Sequence, residues 1–177
     1  MKNSLLLPGV MAAALLLAGC GKPSTPAGGT ATPPAATAAI SATPVSQPAL
    51  SAWQQGDKAT AVAGFLTADW SARPLFGTDS PLSLSESQFG ALSAADRQAK
   101  SAELTTQLGV FKQLAAAVSQ AGQDAAAKGD SAQARKCFTA LKQCGAALAG
   151  PDSSSLVQLV GQAFTKRADT ELAKLPQ

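Results

Sequence analysis

The chain has 177 residues, with 14 Lys and Arg against 11 Asp and Glu and a formal net charge of +3. No block of cations stands out, which argues against nucleic acid as a partner, because phosphate binding needs clustered positive charge. There is no His and no Tyr, so the commonest general acid-base side chain and metal ligand is missing, and we expect no catalytic group, metal or cofactor.

Lys2 opens the chain with a positive charge, and Ser4 to Ala18 is then almost entirely apolar or small. That run of about 15 residues is short of the roughly 20 needed to span a bilayer. Its layout is that of a secretory signal peptide over 1–19. Leu17-Ala18-Gly19-Cys20 closes it. An ordinary signal peptide with a chance Cys shares the layout but not this four-residue ending, which resembles the bacterial lipobox. The resemblance implies that the Cys20 thiol carries a diacylglycerol, that cleavage falls before Cys20, and that the new amino terminus is acylated. Several chains on one residue anchor stably where one would not. Gly21, in place of Asp, points to the outer membrane, facing the periplasm. Loss of Lys2 with the leader lowers the formal charge from +3 to +2.

Residues 20–48 read as the lipidated Cys followed by a tether of Pro, Ala, Thr, Ser and Gly. Such a composition lacks the large apolar side chains that offset the entropy of ordering. Its reach is about 80 Å as a polyproline-like rod and about 30 Å as a coil. It either holds the following domain off the membrane or is a filler of no required length.

The folded part, 49–177, is expected to be all-α. Alanine is abundant and only 5% of residues are aromatic, which favours helices over strands. Ala49 to Gln55 reads as a short helix ending at Gly56, with Leu50 and Trp53 on one side. Asp57 caps a second helix to about Trp70, with Ala61, Val62, Phe65, Leu66 and Trp70 as its apolar stripe. Pro74, Gly77 and Pro81 make 71–84 irregular, with Leu75 and Phe76 docked on the core. Ser85 and Gln88 form a capping box for a short helix, and Ser93 with Asp96 starts another.

From Ala94 to about Lys128 the pattern is one long helix, with Gly122 as its weakest point. Leu104, Leu108, Phe111, Ala115, Val118 and Ala125 form its stripe. After Gly129-Asp130 a helix from Ser131 to about Leu148 turns Ala134, Cys137, Phe138, Leu141, Cys144 and Leu148 inward. Gly150-Pro151 stops it. Asp152 or Ser153 then caps a last helix with Leu156, Leu159, Val160, Ala163, Phe164 and Leu172 facing the core.

One pattern occurs twice. Gly56-Asp57-x-Ala59-x-Ala61-x-x-x-Phe65 matches Gly129-Asp130-x-Ala132-x-Ala134-x-x-x-Phe138. It resembles the turn and second helix of a tetratricopeptide repeat. The resemblance implies that Gly56 and Gly129 end one helix, Asp57 and Asp130 cap the next, the small Ala lets helices approach, and Phe65 and Phe138 fill the gap. No clean copy lies between the two, so the expected architecture is antiparallel helical hairpins, either repeat-like or a simple bundle.

Four carboxylates, Asp57, Asp96, Asp130 and Asp152, sit where helix starts want them. No pair stands in a catalytic setting. Cys137 and Cys144 remain once Cys20 is assigned to the anchor. On one helix, seven residues apart, they are about 10 Å from each other, too far for a bridge. Cys137 beside Lys136 is a redox or interface candidate, although on an apolar stripe a Cys is more often a small buried hydrophobe. The basic doublets Arg135-Lys136 and Lys166-Arg167 are either solvated or contact an acidic partner or anionic headgroups.

The expected protein is thus a lipid-anchored, non-catalytic protein-interaction or scaffolding module of the bacterial cell envelope. Its partners are the membrane, through the anchor, and an unidentified envelope protein; the sequence leaves its oligomeric state open. The rivals are a structural component that packs on itself or on cell-wall polymer, with Cys137 or Cys144 bridging copies, and a small lipid or ligand carrier.

Overall fold

The structure, a computed structural model, describes residues 43–176. The signal peptide expected over 1–19, the lipobox Leu17–Cys20 and the tether as far as residue 42 lie outside the described residues. The domain is all-α, with no strand among the described residues.

The fold begins earlier than the expected boundary at 49. Helix α1 runs Gln47–Gln54, with Pro48 in its first turn, where a missing N–H leaves nothing unsatisfied. Proline there starts a helix rather than ending a tether. Before it, the amides of Val45 and Ser46 donate to the carbonyls of Pro74 and Leu75 at 3.0 and 3.1 Å. The hydroxyl of Ser46, which is 1% exposed, donates to the Leu75 carbonyl at 2.6 Å.

Helix α2 spans Lys58–Thr67 and ends before Trp70. Thr67 Oγ1 donates back to the Ala63 carbonyl at 3.0 Å, and Ala68 is extended. Trp70 tucks under the helix end instead, its indole Nε1 donating to the Phe65 carbonyl at 3.1 Å. A burial-driven stripe can include a residue that reaches the core from a loop, which is why Trp70 looked helical. In α1 the buried residues are Ala49 and Ala52, while Leu50 and Trp53 are only half-buried.

Irregular chain with a single 3₁₀ turn, Pro81–Ser83, leads to α3 (Glu86–Ala91). The capping box of Ser85 and Gln88 is formed. Helix α4 then runs unbroken for 34 residues, Ala94–Ala127, about 51 Å. Its first nine residues are largely exposed and project beyond the core. Gly122 does not break it. A Cβ at Gly122 would lie 2.8 Å from the Phe138 ring, so the glycine serves close helix packing.

Helix α5 (Ser131–Leu148) packs against α4 on one side and α6 (Ser155–Leu172) on the other. All six residues expected to face inward on α5 are buried. The α1–α2 hairpin lies across α4 and α5. Phe111 of α4 joins these parts. Its ring centroid is 6.3 Å from Phe65, 6.2 Å from Trp70, 5.5 Å from Phe76 and 6.2 Å from Phe164. Aromatic pairs at these spacings add to the energy of burial.

The register of α6 differs most from expectation. Its N-cap is Ser154, and its buried residues are Val157, Gly161 and Ala168. Leu156 and Leu159 are 45% and 61% exposed, Ala163 is exposed, and Val160, Phe164 and Leu172 are half-buried. The reason is the α5–α6 crossing. Gly161 meets Gly145 of α5 so closely that no side chain fits between them. This contact turns the glycine face inward and the leucines outward.

Candidate functional site

The doubled motif builds the same turn twice. Gly56 and Gly129 have φ of +84° and +80°, a conformation that costs a side-chain-bearing residue about 1–2 kcal/mol. In the first turn the Gly56 amide donates to the Trp53 carbonyl and the Asp57 amide to the Ala52 carbonyl. In the second, Gly129 donates to Ala126 and Asp130 to Ala125. Both are Schellman closures of the preceding helix. The carboxylates of Asp57 and Asp130 then accept from the amides of Thr60 and Gln133 at 3.0 and 2.9 Å. The bond to Thr60 holds the Asp57 carboxyl below its ordinary pKa. Ala61 and Ala134 are buried, as are Phe65 and Phe138. The six residues singled out in sequence therefore set two hairpins, α1–α2 and α4–α5, and do not converge on one site.

Cys137 and Cys144 are both free thiols, each 0% exposed. Burial raises the pKa of Cys137, partly offset by Gln133 Nε2 donating to its sulfur at 3.8 Å and by nearby Lys136. Burial raises Cys144 further. Neither thiol can reach a second copy without opening the helix packing.

A cleft follows the irregular segment between α2 and α3. One part, of about 370 Å³, lies between residues 68–73 and the outer side of α5 near Gln143 and Ala146. The next part, of about 240 Å³, lies between residues 73–83 and the α5–α6 turn, 150–153. Arg73 and Ala147 line both. Leu75, Phe76 and Leu82, each at most 8% exposed, give the second part an apolar floor. Arg73 stands at the junction with its guanidinium donating to the Ala72 carbonyl at 3.1 Å. Asp69, its pKa lowered by hydrogen bonds from Ser71, lines the first part, and Asp152 lines the second. An apolar floor with charged side chains in its lining, walled by loop and by α5, suits an extended or irregular polypeptide. In the sequence Trp70, Leu75 and Phe76 read only as core residues and Gly150 to Ser153 only as a helix boundary, and nothing marked Arg73 or Ala147. Arg73-Pro74 looks like any turn until the fold sets it opposite α5.

The second notable surface is at the start of α6. The Glu86 carboxylate, from the first turn of α3, accepts from the Ser155 amide at 3.0 Å and from its hydroxyl at 2.9 Å. It thereby caps α6 from a distance, which lowers its own pKa. The N-cap Ser154 hydroxyl makes no such bond among the described residues. Leu156 and Leu159 project beyond this cap, with half-buried Phe89 of α3 lining the same hollow as Leu156.

Among the described residues no three His, Cys, Asp or Glu side chains cluster as a metal site would require, and no helix is long and apolar enough to cross a membrane. Comparison with protein-family models, with curated proteins and with solved structures gives no match.

Proposed function

We propose that the chain is a bacterial lipoprotein, anchored through an acylated Cys20, whose helical domain is a non-catalytic interaction module of the cell envelope. The observation that carries this reading is the two-part cleft joined at Arg73 and Ala147. An apolar floor with Asp69, Arg73 and Asp152 in the lining is a docking arrangement. The matching Gly56-Asp57 and Gly129-Asp130 turns support reading the domain as stacked hairpins that hold the cleft rigid. The lipobox-like ending at Cys20 supports a place at the envelope.

The reading in which Cys137 or Cys144 bridges two copies gains nothing from thiols that are fully buried. Photocrosslinking residues introduced at Ser83 and Ala147 test the docking reading in the native host. They should capture one recurrent envelope protein, and capture should fall when Arg73 is replaced by Ala. Capture of cell-wall fragments alone, or of a second copy alone, would refute it.

A further inference from the structure

Leu156 and Leu159 are the large apolar side chains left exposed among the described residues. They share one helical face with half-buried Val160 and exposed Ala163, and the same face continues one to two turns later into Lys166 and Arg167. From Ser155 to Ala168 the helix carries no acidic residue. Lys166 and Arg167 make no ion pair among the described residues. Of the surrounding carboxylates, Glu86 is engaged on Ser155, Asp169 pairs with Lys142 at 2.7 Å, and Glu171 pairs with Lys174 and Gln123 and feels Arg167 only at longer range. Arg97, beside Leu156 in the same hollow, donates to the carbonyls of Gly90 and Leu92.

We propose that this face of α6 rests on the surface of an anionic bilayer, with Leu156 and Leu159 entering the headgroup boundary and Lys166 and Arg167 meeting lipid phosphates. The charge of the face selects an anionic partner. Its small apolar extent selects lipid over protein. A stable protein interface needs about 800 Å² from each side, with aromatic anchors at its centre, and this face offers two leucines with small neighbours. A bilayer asks only for a few inserted side chains beside cations. A weak contact of this kind suffices for a domain already tethered to the same surface, because the second contact is then intramolecular. In that respect the inference rests on the anchoring reading. The cleft at Arg73 is lined by other residues and is a separate surface.

The test uses the full chain with p-benzoylphenylalanine at Leu159, or at exposed Ala132 of α5 as a control. Each is reconstituted in phosphatidylcholine vesicles with or without phosphatidylglycerol. Illumination should yield phospholipid adducts at 159 and not at 132, and only in vesicles holding the anionic lipid. Replacing Lys166 and Arg167 by Gln should cut the yield by about fivefold per cation, and raised salt should cut it too. No lipid adduct at 159, equal adducts at both positions, or equal yield without phosphatidylglycerol would each overturn the proposal. Flotation of the Cys20→Ala chain, made in the host, separates the two readings. If the anchor is lost by that change yet no lipid adduct forms at 159, this inference fails alone. If adducts form and the change has no effect, the anchor reading fails alone.

Discussion

Gly145 and Gly161 face each other across α5 and α6 so closely that a Cβ on either would lie 2.6 Å from the other's carbonyl oxygen. The obstacle is backbone, which cannot swing aside. Gly145→Ala or Gly161→Ala should therefore force the helices apart. Overpacking of this kind costs about 1–3 kcal/mol, and the better helix propensity of Ala returns about 1 kcal/mol. A net loss is expected in urea unfolding. Gly109 of α4 is the control: nothing lies within 4 Å of a Cβ placed there, so Gly109→Ala should stabilise by about 0.5–1 kcal/mol. If both substitutions act alike, helix packing does not depend on the glycine contact.

The two hairpin turns should respond as a pair. Gly56→Ala and Gly129→Ala each put a side chain at positive φ and should each lose about 1–2 kcal/mol. Asp57→Ala and Asp130→Ala remove a cap and should each lose about 1 kcal/mol. Chemical denaturation of the four variants measures this directly. Unequal responses would mean that the second turn, between two long helices, is held by packing rather than by its own bonds.

These turns were legible in the sequence because their chemistry is local. Gly at positive φ and Asp as a cap act within a few residues, and so do Ser85 with Gln88. The buried faces of α4 and α5 were legible because each is packed along most of its length by neighbours. The face of α6 was not. Periodicity marks a stripe of Leu156, Leu159, Val160 and Ala163, but a glycine at 161 outweighs it by allowing backbone contact, and Gly145 lies on a different helix. The cleft at Arg73 was hidden for a similar reason, since its walls come from residues 68–83 and 143–153. Glu86 capping Ser155 joins positions 69 residues apart, and no spacing rule reaches that far.

Cys137 and Cys144 should be inert in the folded protein. Burial holds both thiols above their ordinary pKa, and the thiolate is the reactive form. A disulfide reagent at neutral pH should label neither until denaturant is added, Cys144 being the slower of the two. Fast labelling of Cys144 under native conditions would contradict the packing of α5 between α4 and α6.

Glu86 gives the α3–α6 contact a pH dependence whose sign can be worked out. Its native pKa lies below the ordinary value because the ionised form accepts from Ser155. Its contribution is thus fully present above the ordinary carboxylate range and is lost as pH falls through the lowered native value. Nuclear magnetic resonance titration should show the Ser155 amide moving with the Glu86 carboxyl. At neutral pH, Glu86→Ala should speed hydrogen exchange in the first turn of α6 and leave α5 unchanged. An unchanged α6 would mean that its start is held by burial of Ser154 and Val157 instead.

The claim that the domain docks an envelope protein through the Arg73 cleft is tested most directly by site-specific photocrosslinking in the native host. Probes at Ser83 and Ala147 should yield the same heterologous envelope protein, weakened by Arg73→Ala, while a probe at Ala132 yields none. Equal capture from all three positions, or capture confined to cell-wall fragments or a second copy, would contradict it.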